Sequence, residues 1–252
     1  NDPEALTWAD RAADVARAQQ DERAEVLAAA YADNARVTLG LSEPATQSRL
    51  EGHLAYLEAT TAPGSLIFEV LGSLQRESLA RGDFEQALAY GHRLLNIAKG
   101  TRNMYGISVA GYSLANTSTT LGRPAQAARH LLDVLDWHVA IARVWQTLGC
   151  LMSICTFPKT LGHTDEAVAV LSMVYHQPQA TGRIRDQIDA ARPRLQAGMG
   201  AAAFAAAWEK GRGLSFEAGL ALARAALLDE AQSPLGEGDH LEPQKLGKEQ
   251  RI

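Results

Sequence analysis

The sequence predicts an all-α protein built as a stack of helix hairpins, and three observations lead to this fold class. Alanine is abundant while aromatic residues make up only 6% of the 252 residues, a composition that favours closely packed helices over sheets. Apolar residues recur at helical spacing along most of the chain. In addition, three similar segments follow one another at a constant interval, which is the mark of a repeat protein.

Each repeated segment contains a glycine that is followed four residues later by Gln or Glu and then by alanine. The period is 40 residues, because the glycines fall at 82, 122 and 162. Glycine adopts the left-handed conformation that ends a helix, so each glycine is predicted to separate the two helices of a hairpin. Each alanine is predicted to lie where those helices cross, since a larger side chain would not fit. The three pairs are Gly82 and Ala87, Gly122 and Ala127, and Gly162 and Ala167.

Residues next to these glycines carry signals for the start of the second helix. Asp83 is predicted to cap the helix that follows Gly82, with Gln86 completing a capping box. Pro124 suits the first turn of the corresponding helix in the next copy. An eroded earlier copy is predicted at residues 41–47, at the same 40-residue offset but without the glycine and the alanine.

The chain is accordingly predicted to have four parts. Residues 1–60 form N-terminal helices that include the eroded copy, and residues 61–180 form the three hairpins. Residues 181–230 form capping helices, in which Ser215 caps the last helix. Residues 231–252 are polar, aperiodic and rich in Gly and Pro, so they are predicted to be a flexible tail.

Charge and cysteine content exclude several classes of function. A net charge of -5 argues against direct nucleic-acid binding, which depends on clustered basic residues. The chain has neither a long apolar stretch nor a signal-like N-terminus, so no membrane association is expected. Cys150 and Cys155 lie in one predicted helix and point away from each other, so they are predicted to stay unpaired in a reducing cytoplasm.

The Gly-x-x-x-Gln/Glu-Ala pattern resembles the turn and second helix of tetratricopeptide repeats, although the period here is 40 and the family's is 34. The longer period is similar to that of the superhelical arm of LuxR-type and maltose-regulator-type signal-transduction ATPases. Segments 136–142, 161–167 and 202–215 also resemble the C-terminal end of large bacterial predicted ATPases and cyclase-linked regulators. The resemblance covers residues 65–230 of this chain.

This resemblance implies a right-handed superhelix that serves as a non-catalytic interaction and regulatory arm and needs no cofactor. The implied partner is a protein, a peptide or a neighbouring domain of a longer parent that carries a nucleotide-binding domain; the oligomeric state stays open. In such arrays the first helices line a groove. The groove positions of tetratricopeptide repeats correspond here to Glu69, Gly72, Arg76, Tyr112, Asn116, Thr119, Met152, Thr156 and Lys159.

Arg76 and Tyr112 are the favoured contacts among these groove residues, because an arginine and an aromatic ring recur in binding hot spots. The competing interpretation is that Tyr112 fills space between neighbouring first helices and that Arg76 is merely solvated. Pro158 is predicted to kink or end the first helix of the third hairpin.

Signals for catalysis are weak throughout the chain. No phosphate-binding Gly-rich loop with a Lys occurs, and the segment around Ser108 is one residue too long for a nucleophile elbow. The seven histidines are scattered without zinc-ligand spacing, so surface or capping roles are predicted for them. Two alternatives to a regulatory arm stay open, a small-ligand or peptide sensor with an enclosed pocket and, less favoured, an all-helical enzyme. The histidines are His53, His92, His130, His138, His163, His176 and His240.

Overall fold

A computed structural model gives the structure of residues 3–60, 64–141, 144–156 and 164–233. These residues form twelve α-helices and no strand, which confirms the all-α fold class. None of the helices in these ranges has the length and apolar character needed to cross a membrane. The helices are α1 (Pro3–Ala18), α2 (Glu22–Leu39), α3 (Thr46–Ala59), α4 (Gly64–Arg81), α5 (Phe84–Gly100), α6 (Met104–Thr120), α7 (Pro124–Ile141), α8 (Val144–Thr156), α9 (Thr164–His176), α10 (Gly182–Met199), α11 (Ala201–Arg212) and α12 (Phe216–Gln232).

The chain divides into two compact units, residues 1–106 and residues 107–252, with the boundary in the first turn of α6. In unit 1, α1 packs along α2, the pairs α2/α3 and α4/α5 form hairpins, and α2 lies beside α4. In unit 2, α6 packs on α7 and α8 on α9, and α10 lies beside α8. The last two helices close unit 2, since α11 packs on α9 and α12 packs on both α7 and α9.

The predicted hairpin turns are present at the two repeat glycines within the described ranges. Gly82 and Gly122 have φ angles of +81° and +70°, the left-handed conformation expected after α4 and α6. The crossing alanines Ala87, Ala127 and Ala167 are all buried, as predicted. At Ala87 the main-chain carbonyl accepts a hydrogen bond of 3.3 Å from Gln75 of α4, so α4 lies directly against α5. The third glycine, at position 162, lies outside the described residues.

The three predicted helix starts are confirmed in position, but the side-chain capping predicted at Asp83 is wrong. Pro124 is the first residue of α7, and the Ser215 side chain accepts a hydrogen bond of 3.1 Å from the Ala218 amide. Asp83 occupies the N-cap of α5, but its side chain accepts no capping hydrogen bond, so the predicted capping box is absent. The turn is closed by the main chain, because the Asp83 amide donates to the Ser78 carbonyl at 2.8 Å.

Two helix ends bear on the repeat pattern. Helix α7 continues to Ile141, because residues 137–141 include neither Gly nor Pro to break it. The eroded copy, predicted to lack a glycine, uses Gly40 with a φ of +70° to end α2. This glycine comes two residues early, and a longer connection leads into α3. Helix α12 extends to Gln232, two residues into the predicted tail, and residues 234–252 lie outside the described residues.

Candidate partner-binding surface

The outward faces of α2 and α4 adjoin in unit 1, and together they form what we call the α2–α4 surface. It consists of Tyr31 and Asn34 on α2 and of Glu69, Gly72 and Arg76 on α4. The spacing i, i+3 and i, i+3, i+7 places each set on one side of its helix. Because α2 packs beside α4, the two sets lie side by side, and Tyr31, Glu69 and Arg76 are all exposed.

Arg76 is held in one orientation by its neighbours. Its Nη2 atom donates hydrogen bonds to Asn34 Oδ1 at 2.7 Å and to Ser73 Oγ at 3.3 Å. Ser73 in turn donates to the same Asn34 oxygen at 2.6 Å. A Cβ atom at Gly72 would lie 3.6 Å from Arg76 Nη1, so the guanidinium lies above Gly72, back along α4.

The positive charge of Arg76 has no close counter-charge. Burial of the guanidinium lowers the pKa of Arg76, while the charges of Glu69 and Tyr105 act in the opposite direction. Within the described parts of the chain, however, no carboxylate forms an ion pair with Arg76. The residue as a whole is exposed, but its charged end lies close against protein atoms. An oriented and partly desolvated cation of this kind is well suited to an external anion.

Tyr105 borders this surface and was not predicted from the sequence. It lies in the first turn of α6, within unit 1, and 76% of the residue is exposed. The turn is fixed by Asn103, whose side-chain oxygen accepts a hydrogen bond of 3.0 Å from the Gly106 amide. A Cβ atom at the next residue, Gly106, would lie 3.1 Å from the Phe68 ring of α4, so the start of α6 lies against α4. Tyr31 and Asn34 were also missed, because α2 lacks the repeat motif that placed the groove residues on α4, α6 and α8.

A buried charge network lies behind the α2–α4 surface. Asp33, only 2% exposed, accepts hydrogen bonds from Arg49 at 2.8 Å and Arg36 at 3.3 Å and contacts His53 at 3.3 Å. Arg36 also bonds to Asp10 at 2.7 Å. Burial alone would raise the pKa of Asp33, but hydrogen bonds from His53 and Arg49 outweigh it and hold that pKa well below its usual value. The network ties α2 to α1 and α3 next to Asn34.

In unit 2, the predicted groove residues mostly serve in packing. The Tyr112 hydroxyl donates to the Cys150 carbonyl at 3.4 Å, and burial raises the pKa of Tyr112 well above its usual value. This contact joins α6 to α8, the space-filling role that was the competing interpretation. Met152 is 7% exposed, whereas Asn116 is exposed.

The threonines of the predicted groove donate to the main chain of their own helices. Thr119 donates to the Ala115 carbonyl at 2.9 Å, and Thr156 donates to the Met152 carbonyl at 2.9 Å. The Thr156 carbonyl also accepts a hydrogen bond of 2.6 Å from Arg194 of α10, so α10 partly covers this end of α8. The remaining predicted groove residue, Lys159, and the predicted helix break at Pro158 lie outside the described residues.

One pair of residues in unit 2 has the geometry of a nucleophile and a base. Ser108 Oγ lies 2.7 Å from His138 Nε2, although Ser108 is in a helix and not in a strand-to-helix turn. The other ring nitrogen of His138 is buried without a partner in the described structure, so no carboxylate orients the ring as a catalytic triad requires. Burial lowers the pKa of His138 to about 4, which makes it a weak base.

The two cysteines, Cys150 and Cys155, are also buried. Burial raises the pKa of Cys150 to about 12 and that of Cys155 still further, so neither thiol is a ready nucleophile. Both cysteines are free, as predicted. The described residues hold no group of three or more His, Cys, Asp or Glu side chains arranged to bind a metal ion. The prediction of surface or capping histidines is wrong for His130 and His138, which are buried on α7.

No family model matches the chain, and no curated protein is significantly similar to it. The class that the fold defines is an all-α chain of helix hairpins.

Proposed function

We propose that this chain is a non-catalytic interaction module that binds a partner protein, a peptide or a neighbouring domain through its α2–α4 surface. The observation that carries this proposal is Arg76, which Asn34 and Ser73 hold in one orientation without an ion-pair partner in the described structure. The same hydrogen bonds also join α4 to α2, but they leave the charge of Arg76 without a counter-ion in the described structure. Exposed tyrosines flank this charge, as in many protein interfaces.

The wider role that we propose is that of a regulatory arm in a bacterial signal-transduction ATPase or transcriptional regulator. This part of the proposal depends on the resemblance of segments 136–142, 161–167 and 202–215. A cytoplasmic location fits two buried, free cysteines. Binding would regulate the parent protein by favouring one arrangement of its domains over another.

A sensor of small ligands or peptides is the second candidate for the same surface. A small ligand usually needs an enclosed pocket that covers most of its area. The exposure of Tyr31, Glu69 and Tyr105 favours a larger ligand that covers an open surface. A peptide satisfies both interpretations, whereas a small metabolite does not.

Site-specific photo-cross-linking tests the proposed function. A benzoylphenylalanine would replace Glu69 on α4 or, as a control, Asn96 on α5, since both residues are exposed and lie on opposite helices of one hairpin. In cells of the organism that encodes the chain, a discrete cross-linked product is expected from position 69 and not from position 96. Cross-linking only from position 96, or from neither position, contradicts the proposed function.

A further inference from the structure

We infer that the partner presents a side-chain carboxylate, from Asp or Glu, to Arg76 and Asn34, with an apolar neighbour packed on Tyr105. This inference deepens the proposed function and rests on it. It concerns the chemical nature of the bound segment, which no sequence motif indicates. Several hydrogen-bond donors of the α2–α4 surface have no acceptor within the described structure.

The donors of Arg76 are only partly used. A guanidinium has five N–H donors in a planar fork, and the hydrogen bonds of Arg76 within the described structure all start from Nη2. Its Nε and Nη1 groups therefore have no acceptor there. Nη1 lies over Gly72, where no side chain of α4 covers it. A carboxylate can accept two parallel hydrogen bonds from such a fork.

Asn34 adds donors directly beside this fork. Its Oδ1 atom accepts from both Arg76 and Ser73, and this fixes the orientation of the amide group. The Asn34 Nδ2 group must then face the other way, and its two donors have no partner among the described residues. Because Asn34 and Arg76 are joined by a hydrogen bond of 2.7 Å, both sets of donors are within reach of one acceptor group.

Glu69 decides between a carboxylate and a phosphate. It lies on the same face of α4 as Arg76, and its negative charge raises the pKa of Arg76. A phosphate group carries nearly two negative charges at neutral pH, and its recognition typically uses a cluster of arginines. The residues of the α2–α4 surface include a single cation, Arg76, whose charge Glu69 partly offsets. The net charge of -5 acts in the same direction. The surface therefore fits a singly charged carboxylate.

Tyr105 supplies apolar contact area next to the charge. With 76% of the residue exposed, its ring is free to pack on a side chain that precedes or follows the acidic residue. Rigid aromatic rings give large contact areas at a low cost in ordering. The expected ligand is thus a short segment in which an acidic residue stands beside an apolar one.

The test uses the full chain, ¹⁵N-labelled, and two peptides, acetyl-Leu-Glu-Leu-amide and acetyl-Leu-Gln-Leu-amide. The Arg76 Nε–H resonance, assigned by its loss in Arg76→Lys, is expected to shift saturably with the Glu peptide. The Gln peptide is expected to bind about tenfold more weakly, since a charge-assisted hydrogen bond is lost. A phosphoserine peptide of the same design is expected to bind more weakly than the Glu peptide.

Two protein variants complete the test. Arg76→Gln is expected to lower the affinity for the Glu peptide by about tenfold, whereas Arg23→Gln, the same change at an exposed arginine of α2, is expected to leave it unchanged. The comparison of the peptides uses the unchanged protein. It therefore tests the inference even if Arg76→Gln does not fold. The inference is overturned if the Arg76 resonance does not shift, if the Glu and Gln peptides bind equally, or if the phosphoserine peptide binds more tightly than the Glu peptide. Any of these results combined with cross-linking at position 69 leaves the proposed function standing, while cross-linking at position 96 alone removes the proposed function.

Discussion

The two units join neighbouring helices in different ways. In unit 1, polar and charged groups link α2 to α4 and to α1 and α3, through Asn34 with Arg76 and through Asp33 with Arg36 and Arg49. In unit 2, polar contacts such as that of Arg194 with Thr156 also occur, but three of the described helix pairs meet at a glycine. A helix surface that meets another helix at a glycine is closed to a ligand. The link through Arg76 in unit 1 leaves hydrogen-bond donors free, and this is why we place the candidate site there.

The glycine contacts of unit 2 leave no room for a side chain. A Cβ atom at Gly211 of α11 would collide with the Ala169 main chain, and one at Gly219 of α12 would collide with the Met173 side chain. Between α6 and α7, a Cβ atom at Gly111 would collide with Val134. Such close packing gives helices large contact areas but tolerates little added volume.

The largest predicted effect comes from filling one of these contacts. Gly211→Ala should destabilise unit 2 by about 3 kcal/mol, because the obstacle is main chain and cannot rotate away. Gly198→Ala is the matched control, since nothing lies within 4 Å of its added Cβ, and there alanine should be neutral or slightly stabilising. The free energies of unfolding of both variants can be measured in urea, with hydrogen exchange in proteolytic fragments of each unit as the readout. Equal stability of the two variants would contradict this description of the packing.

The next largest predicted effect is a pH dependence of the stability of unit 2, which comes from His138. The pKa of His138 falls from 6.5 to about 4 on folding, so the unfolded chain binds more protons between these values and stability decreases as the pH falls from 6.5 to 4. The loss should reach about 2 kcal/mol at pH 5. Exchange of unit 2 peptides at pH 7.5 and pH 5 measures it after correction for intrinsic rates. The variant His138→Gln should remove this dependence; an unchanged dependence would exclude His138 as its source.

Asp33→Asn should weaken unit 1 by between about 1 and 2 kcal/mol. The change removes the buried carboxylate that Arg36 and Arg49 share. The penalty is smaller than for a fully buried pair, because both arginines are partly exposed and keep a second partner, Asp10 for Arg36 and Glu43 for Arg49. Since the folded pKa of Asp33 is lowered, its contribution is present above about pH 4 and is lost as the pH falls below that value. Exchange of peptides from α1 to α3 reports the change, and a loss confined to unit 2 would refute the assignment.

The smallest predicted effect concerns Tyr112. Tyr112→Phe removes a long hydrogen bond of 3.4 Å to the Cys150 carbonyl, so unit 2 should lose about 0.5 kcal/mol or less. Binding of the Glu peptide should not change, because the ring belongs to the contact between α6 and α8. Calorimetric titration measures the affinity. A clear loss of affinity would move the binding site to unit 2.

The sequence predicted the fold better than the site, and the reason is physical. Helical periodicity and the repeat glycines are local signals, so they located the hairpins and the buried Ala87, Ala127 and Ala167. The network of Asp33 depends on residues from three helices, and no spacing within one helix reveals it. The repeat motif also placed groove residues on the first helix of each copy from spacing alone. It could not show that Arg76 is left with free donors while Tyr112 is used in packing.

Hydrogen exchange of the full chain with and without the Glu peptide at saturation tests the central claim most directly. The account predicts slower exchange in peptides that cover residues 31–38 of α2 and 69–76 of α4, with no change in residues 112–119 and 150–156. Slower exchange in those unit 2 segments, with α2 and α4 unaffected, would contradict binding at the α2–α4 surface.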